Sequence, residues 1–301
     1  MNERSTQAVL RYLVPGDEKP IYYATVGGAD AQLNIPNAEF EEKLVNISDA
    51  RHQSVPASLD KEGFSLRSHT SAISDFYKLT DHQQEYEEEL RNLVLPLVEG
   101  NNLLIFDHTL RSDSAAIRSE HNTREPASVV HNDYTETSAK KRMHTLLPSK
   151  EAEHLQTERF AIINVWRSIS GPVIQSPLTC CDASTLVDTD FVASERRAKD
   201  RVGELELVSF SPDHKWYYYP EMTMTEVLLI KTFDSAQDGR ACRSAHTAFD
   251  NPLAPLDAPP RESMESRLSH IHISAAPRQG MLSYAVFCVK KKRGGGGGGG
   301  G

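Results

Sequence analysis

The chain has 301 residues, 39% of them hydrophobic and 25% charged, enough to bury one large core or two small ones. Its 33 Lys and Arg against 42 Asp and Glu leave a net charge of -9, which excludes the basic footprint of a nucleic-acid-binding protein. No segment approaches the apolar length of a secretory leader or a membrane span, and Cys180, Cys181, Cys242 and Cys288 form no C-x-x-C pair, so a cytoplasmic protein with reduced thiols is expected.

In chain order, short runs rich in aromatic and β-branched residues predict strands over 21–25 and 64–69. A helix is strongly written over 81–98, where Tyr86, Leu90, Leu93, Val94, Leu97 and Val98 form one apolar stripe at spacings of three and four. Thr80 with Gln83 predicts a capping box at its start, Pro96 an early stop and Gly100 its end. A strand over 103–108 follows. The polar, unpatterned stretch 111–127 predicts a loop placed where an active-site lid would sit, although an ordinary surface loop fits equally well. Beyond it come a strand over 129–135 and a helix over 136–147. Further strands are expected over 160–169, 204–210, 216–219, 227–233, 244–249 and 261–268. Strands so regularly spaced favour a mainly β sandwich, barrel or jelly roll with flanking helices over an alternating βαβ plan. One domain is expected over 1–268. From 269 the patterning fails, and the tail to 301, closed by an unbroken glycine run, is expected to be disordered and outside the fold.

Chemistry enters at His131 and Asp133. Alternate residues of a strand share a face, so a strand here would project both donors together and turn Asn132 the other way. With 12 His in the chain, roughly one H-x-D is expected by chance, so a third donor must carry the argument. His214, His246, His270 and His272 are the candidates. What singles out His246 is Arg261, fifteen positions later, with Ser263 on its face if the segment is extended. A guanidinium fork and a hydroxyl suit the remote carboxylate of 2-oxoglutarate, and Arg267-Leu268-Ser269 offers the same spacing. Two imidazoles and one carboxylate leave three positions on an iron ion for cosubstrate and dioxygen. The same donors could serve a zinc hydrolase, and a non-catalytic jelly-roll binding protein is the third reading.

The segments FDHTLR (from Phe106), VVHNDYT (from Val129), NVWRSISGPV (from Asn164) and SPLTCCD (from Ser176) occur together in this order. With HKWYYYPEMTMTEVLLIKTFDS (from His214) and AHTAFDNPLAPLDAPPRES (from Ala245), they resemble a fungal hydroxylase/desaturase family of Fe(II)/2-oxoglutarate-dependent dioxygenases, with gibberellin desaturase-like members in secondary-metabolite biosynthesis. The resemblance implies a double-stranded β-helix (jelly roll, cupin-like), with His131, Asp133 and His246 as iron ligands and Arg261 with Ser263 holding 2-oxoglutarate. It also implies Fe(II), 2-oxoglutarate and O2 as the reacting cofactors, ascorbate as a support, and a small-molecule substrate. Asn164, Trp166, Arg167, Tyr217 and Lys231 fall in the recurring segments and would line the pocket. A cation inside the apolar run at Lys231 needs a partner, which favours an anionic ligand. A monomer or homodimer, with neither nucleic acid nor membrane as partner, completes the expectation. After PPRES the chain departs from the family pattern. Ser266, Ser269 and His270 stand where apolar residues are expected, which puts the pairing of the last core strand partly in question.

Overall fold

The computed structural model describes residues 5–23, 35–98, 102–147, 158–198 and 201–271. In chain order its strands are β1 (Ser5–Val14), β2 (Ile21–Tyr23), β3 (Glu39–Asp49), β4 (Phe64–Ser68), β5 (Asn102–Ser112), β6 (His131–Asn132) and β7 (Phe160–Ser168). They continue with β8 (Leu178–Cys181), β9 (Phe191–Ala198), β10 (Arg201–Val208), β11 (Trp216–Tyr218), β12 (Glu226–Asp234), β13 (His246–Ala248) and β14 (Glu262–Ile271). The helices are α1 (Leu79–Val94), α2 (Ala115–His121) and α3 (Glu136–Leu146).

Two sheets form. The larger has the order β1-β3-β11-β8-β13-β6-β10-β9-β2, the smaller β4-β12-β7-β14-β5. The chain crosses from the smaller to the larger sheet and back at β5-β6-β7-β8 and again at β12-β13-β14, which is the winding of a jelly roll. Each crossing leaves one strand face looking into the space between the sheets.

Three of the five hydrophobic clusters among the described residues position the site. Tyr86, Leu90 and Val94 of α1 cover the outer face of the smaller sheet, packing on Ile163, Val165, Leu229, Met264 and Leu268. The larger sheet curls until Val130 N donates to Arg11 O at 2.9 Å, and Leu10, Tyr12, Ile47, Val130, Trp216 and Phe249 fill the curl. Phe64, Trp166, Cys180, Leu228 and Ile230 pack between the sheets, with Tyr217 against them. Leu90 is fully buried beneath α1. Leu90→Ala is therefore expected to lower the denaturant midpoint by an amount worth about 2–5 kcal/mol while leaving metal affinity unchanged.

Each predicted strand meets an observed one, with shifted ends. Four strands went unpredicted: β1, β3, β8 and β9. The helix predicted over 81–98 stops at Val94, and Pro96 sits in a 3-10 turn, Leu95–Leu97. Its expected capping box does not form. Instead Asp75 Oδ1 accepts from Tyr77 N at 3.0 Å and caps a 3-10 turn, Phe76–Lys78, that leads into α1. Gly100 lies outside the described residues. The loop predicted over 111–127 contains α2, capped by the Ser114 hydroxyl and closed by Asn122 in the left-handed region at φ 52°.

The largest correction concerns β14. Far from pairing poorly, it lies between β7 and β5 and pairs with both. Ser266, Ser269 and His270 are fully buried there. The two serines have specific partners: Ser266 Oγ lies 2.8 Å from His108 Nδ1, and Ser269 Oγ donates to Ala161 O at 3.3 Å. The strand runs to Ile271, beyond the boundary expected at 268. The rest of the expected tail, including the glycine run and His272, lies outside the described residues. Cys180, Cys181 and Cys242 are free thiols.

Candidate metal centre

Strand alternation does not place Asp133. The strand predicted over 129–135 is the two-residue β6, and Asp133 follows it in a bend. Asn132 Nδ2 donates to Tyr134 O and to Glu206 Oε2, both at 2.8 Å, which ties the bend to the larger sheet. Thr135 then caps α3 in a capping box with Ser138. The bend brings Asp133 Oδ1 to 3.8 Å from His131 Nε2. His246 reaches the same point from β13, directly opposite His131 in antiparallel register, with ring centroids 4.4 Å apart. One ligand atom from each of His131, Asp133 and His246 lies within 4.8 Å of the other two.

Protonation matches metal binding. His131 Nδ1 lies 2.8 Å from Val129 O; a carbonyl can only accept, so Nδ1 donates this bond and Nε2 is the nitrogen turned toward Asp133. Burial, then the neighbouring His131 ring, pushes the His246 imidazole down to about 3, so it is neutral at physiological pH. Its Nδ1 is buried without a hydrogen-bond partner. Burial opposes ionisation of Asp133, but Arg267 first and the two imidazoles next outweigh it and hold the carboxyl well below its usual range. Asp133 Oδ2 accepts from Asn164 Nδ2 at 2.6 Å and from Arg267 Nε at 3.3 Å, so Oδ1 remains toward the histidines. Two imidazoles and one ionised carboxylate fit a divalent transition metal.

The registers of the smaller sheet lay out the facing wall. Ser168, Ser263 and Arg111 form one row across β7, β14 and β5; Trp166, Glu265 and Thr109 form the next; Asn164, Arg267 and Asp107 form the third. Arg261, just ahead of β14, is buried and turns over the Trp166 ring at 4.9 Å. Its Nε donates to Ser263 Oγ at 3.0 Å and its Nη1 to Ser176 O at 2.7 Å. Burial, then the neighbouring Arg111 cation, pushes the guanidinium down to about 9. Trp166 Nε1 and Asn164 Oδ1 are buried without a hydrogen-bond partner. On the opposite sheet His131, His246, Cys180 and Tyr217 form one cross-strand row, so half-buried Tyr217 shares the imidazoles' face.

Two residues expected in the pocket lie elsewhere. Arg167 and Lys231 point to the outer face of the smaller sheet. Arg167 donates to Met224 O at 2.6 Å and stands over the Phe76 ring at 4.9 Å. Lys231 donates to Asp60 Oδ1 at 2.7 Å and to Asp234 Oδ2 at 3.0 Å, so its partners are carboxylates of its own chain and no external anion is called for. His214 is held by Asp190 at 3.1 Å inside the curl, and His270 faces outward beneath α1's side of the sheet. Arg267, the alternative anchor, is occupied by Asp107, Asp133 and Glu265. Its role as a holder of Asp133 was missed, as were Asp107 and Glu265; only the strand register reveals them.

Asp234 also gives a pH prediction. Burial raises its carboxyl pKa, but the Arg159 hydrogen bond and the Lys231 charge more than offset this and leave it below the usual value. Its stabilisation is therefore complete above the unfolded value of about 4 and is lost as pH falls through the folded value. In Asp234→Asn, unfolding midpoints measured between about pH 6 and 2 should show a shallower acid decline.

Comparison with known proteins gives four findings. A family model described as an oxidoreductase/YMDC permease-like domain matches residues 10–269. The hydroxylase/desaturase efuI of Hormonema carpetanum is 30% identical over 287 residues, covering 87% of this chain and 92% of the relative. The alpha-ketoglutarate-dependent dioxygenase phiK of a fungal species is 27% identical over 272 residues, covering 87% and 94%. Among solved structures, the iron and alpha-ketoglutarate-dependent endoperoxidase NvfI superposes with a TM-score of 0.77 at 25% identity, covering 90% of this chain and 99% of that one. No helix among the described residues is long and apolar enough to cross a membrane.

Proposed function

This chain belongs to the fungal hydroxylase/desaturase family and is an Fe(II)/2-oxoglutarate-dependent dioxygenase, and we propose that it hydroxylates or desaturates a small-molecule secondary metabolite at His131, Asp133 and His246. The convergence of these three donors from β6, the bend after it and β13 carries the reading. Bound Fe(II) supplies the activation of dioxygen, coupled to conversion of 2-oxoglutarate into succinate and carbon dioxide. Hydroxylation places one oxygen atom on the substrate and the other in succinate; desaturation removes two hydrogen atoms from the substrate and releases water.

The chain's own residues supply position. His131 and His246 offer ring nitrogens and Asp133 a fixed carboxylate oxygen. Arg261, oriented by Ser263 and by the Trp166 ring, is the anchor for the remote carboxylate of 2-oxoglutarate; the anion restores the charge balance that burial denies the guanidinium. Asn164, Trp166 and Tyr217 face the same space and form its substrate-side wall. The unused Trp166 Nε1 and Asn164 Oδ1 are hydrogen-bonding capacity that a ligand recovers, each worth about 1–3 kcal/mol. Phe64, Leu228 and Ile230 keep that wall dry. The free thiols Cys180, Cys181 and Cys242 support a cytoplasmic setting.

Aerobic incubation with Fe(II), ascorbate, 2-oxoglutarate and a panel of fungal metabolites, followed by mass spectrometry, tests the proposal. Succinate formed in step with a product that has gained one oxygen atom or lost two hydrogen atoms supports it. Product formation that persists without dioxygen refutes it in favour of zinc-type hydrolysis.

A further inference from the structure

The row Asp107-Arg267-Asn164 crosses three neighbouring strands of the smaller sheet, because Arg267 stands opposite Asp107 of β5 and Asn164 of β7. Asp133 comes from the other sheet and meets this row from across the gap. Both donors that reach it choose the same oxygen: Asn164 Nδ2 at 2.6 Å and Arg267 Nε at 3.3 Å end on Oδ2. The guanidinium is itself tied down. Its Nη1 donates to Asp107 Oδ2 at 2.6 Å, and its Nη2 pairs with Glu265. With all three nitrogens engaged by carboxylates, Arg267 cannot swing away to greet a ligand, which is why it serves Asp133 and not 2-oxoglutarate. The other oxygen, Oδ1, has no such donor among the described residues and lies 3.8 Å from His131 Nε2.

We propose that Arg267 and Asn164 are positioning residues that restrict Asp133 to one-oxygen metal ligation, and so keep one coordination position open for dioxygen. The inference rests on the metal-centre assignment above. A carboxylate can grip a cation through one oxygen or two. Three protein donors leave three positions, and a chelating keto acid takes two of them. Two-oxygen ligation by Asp133 would use the last. Hydrogen bonds to Oδ2 engage the lone pairs that such a grip needs, and the cation beside it favours the carboxylate staying where it is.

The test is a titration of metal-free protein with Co(II), following the visible d–d bands, which report coordination number as well as affinity. Asn164→Leu, Arg267→Met and the charge-balanced Arg267→Met/Glu265→Gln are compared with the native chain, with circular dichroism as the folding control. The variants should bind Co(II) about 10- to 100-fold more weakly, with bands displaced from the native ones as a second carboxylate oxygen takes the place of a water. Arg267→Lys, which returns one donor, should recover part of both. Asn164→Leu changes no charge, so it decides the question if Arg267→Met does not fold. Native affinity with native bands overturns the proposal, and so does weaker binding with unchanged bands. Native Co(II) affinity in His131→Ala would instead overturn the metal centre itself.

Discussion

His131→Ala should bind Fe(II) at least about 100-fold more weakly than the native chain and should form no succinate from 2-oxoglutarate. The size of the effect follows from the geometry. Each of the three donors comes from a different place, and Val129 O already fixes the His131 ring in its ligating tautomer. Removing the imidazole leaves His246 and Asp133 as a two-donor site, and water must fill the vacated position. Folding should survive, because His131 is only partly buried and its short strand is held by backbone bonds to β10 and β13. Equilibrium dialysis with metal analysis reads the binding, and an anaerobic control reads the chemistry. Unchanged succinate yield in this variant would remove the assignment. A metal content dominated by zinc, with turnover that ignores dioxygen, would replace it with hydrolysis.

Arg261→Met should raise the 2-oxoglutarate concentration needed for half-maximal turnover by about 30-fold or more, the effect of losing a buried charge pair worth about 2–5 kcal/mol. Iron affinity should stay within a few-fold, since Arg261 makes no hydrogen bond to the three donors. This split separates an anchor from a ligand. Three contacts leave the guanidinium little freedom: Ser263 Oγ, Ser176 O and the Trp166 ring. Arg261→Lys should rescue little, because an ammonium cannot reproduce the fork or the stacking. An unchanged requirement in Arg261→Met would move the anchor to Arg111, which stands opposite Ser263 in the neighbouring strand.

Much of the site was legible because its members are named by residue type. A His-x-Asp pair, a distant His and an Arg-x-Ser stand out even without coordinates. What could not be read is which face each wall residue takes. Asn164, Trp166 and Arg167 sit within four positions of one another, yet the period of two sends Arg167 to the outer face and the others inward. The same period places Lys231 opposite Ile163, outside. The missed strands have physical reasons too. In β3 the residues are mostly acidic or polar, and Leu44 is largely exposed; pairing with β1 along its length, not propensity, makes it a strand. β8 has four residues, and β9 ends in a charged run whose extended form depends on β10. β1 was the readable omission, since Thr6, Ala8, Leu10 and Tyr12 alternate inward as a half-buried strand should. The doubt about β14 came from treating serine and histidine as unfit for a buried position, whereas His108 and the β7 backbone give Ser266 and Ser269 their partners.

β14 is the last of the described strands to leave the ribosome, and it must slot between two that were made long before it. Until it arrives, β5 and β7 present unpaired edges to each other across an empty slot, an invitation to aggregation during synthesis. Its arrival closes the slot and delivers Ser263, Glu265 and Arg267 to the wall in one event. A nascent chain halted after β13 would already own His131, Asp133 and His246 but would lack Arg267 beside Asp133 and the Arg261–Ser263 pair, so the wall facing the three donors is completed only by chains that finish this strand.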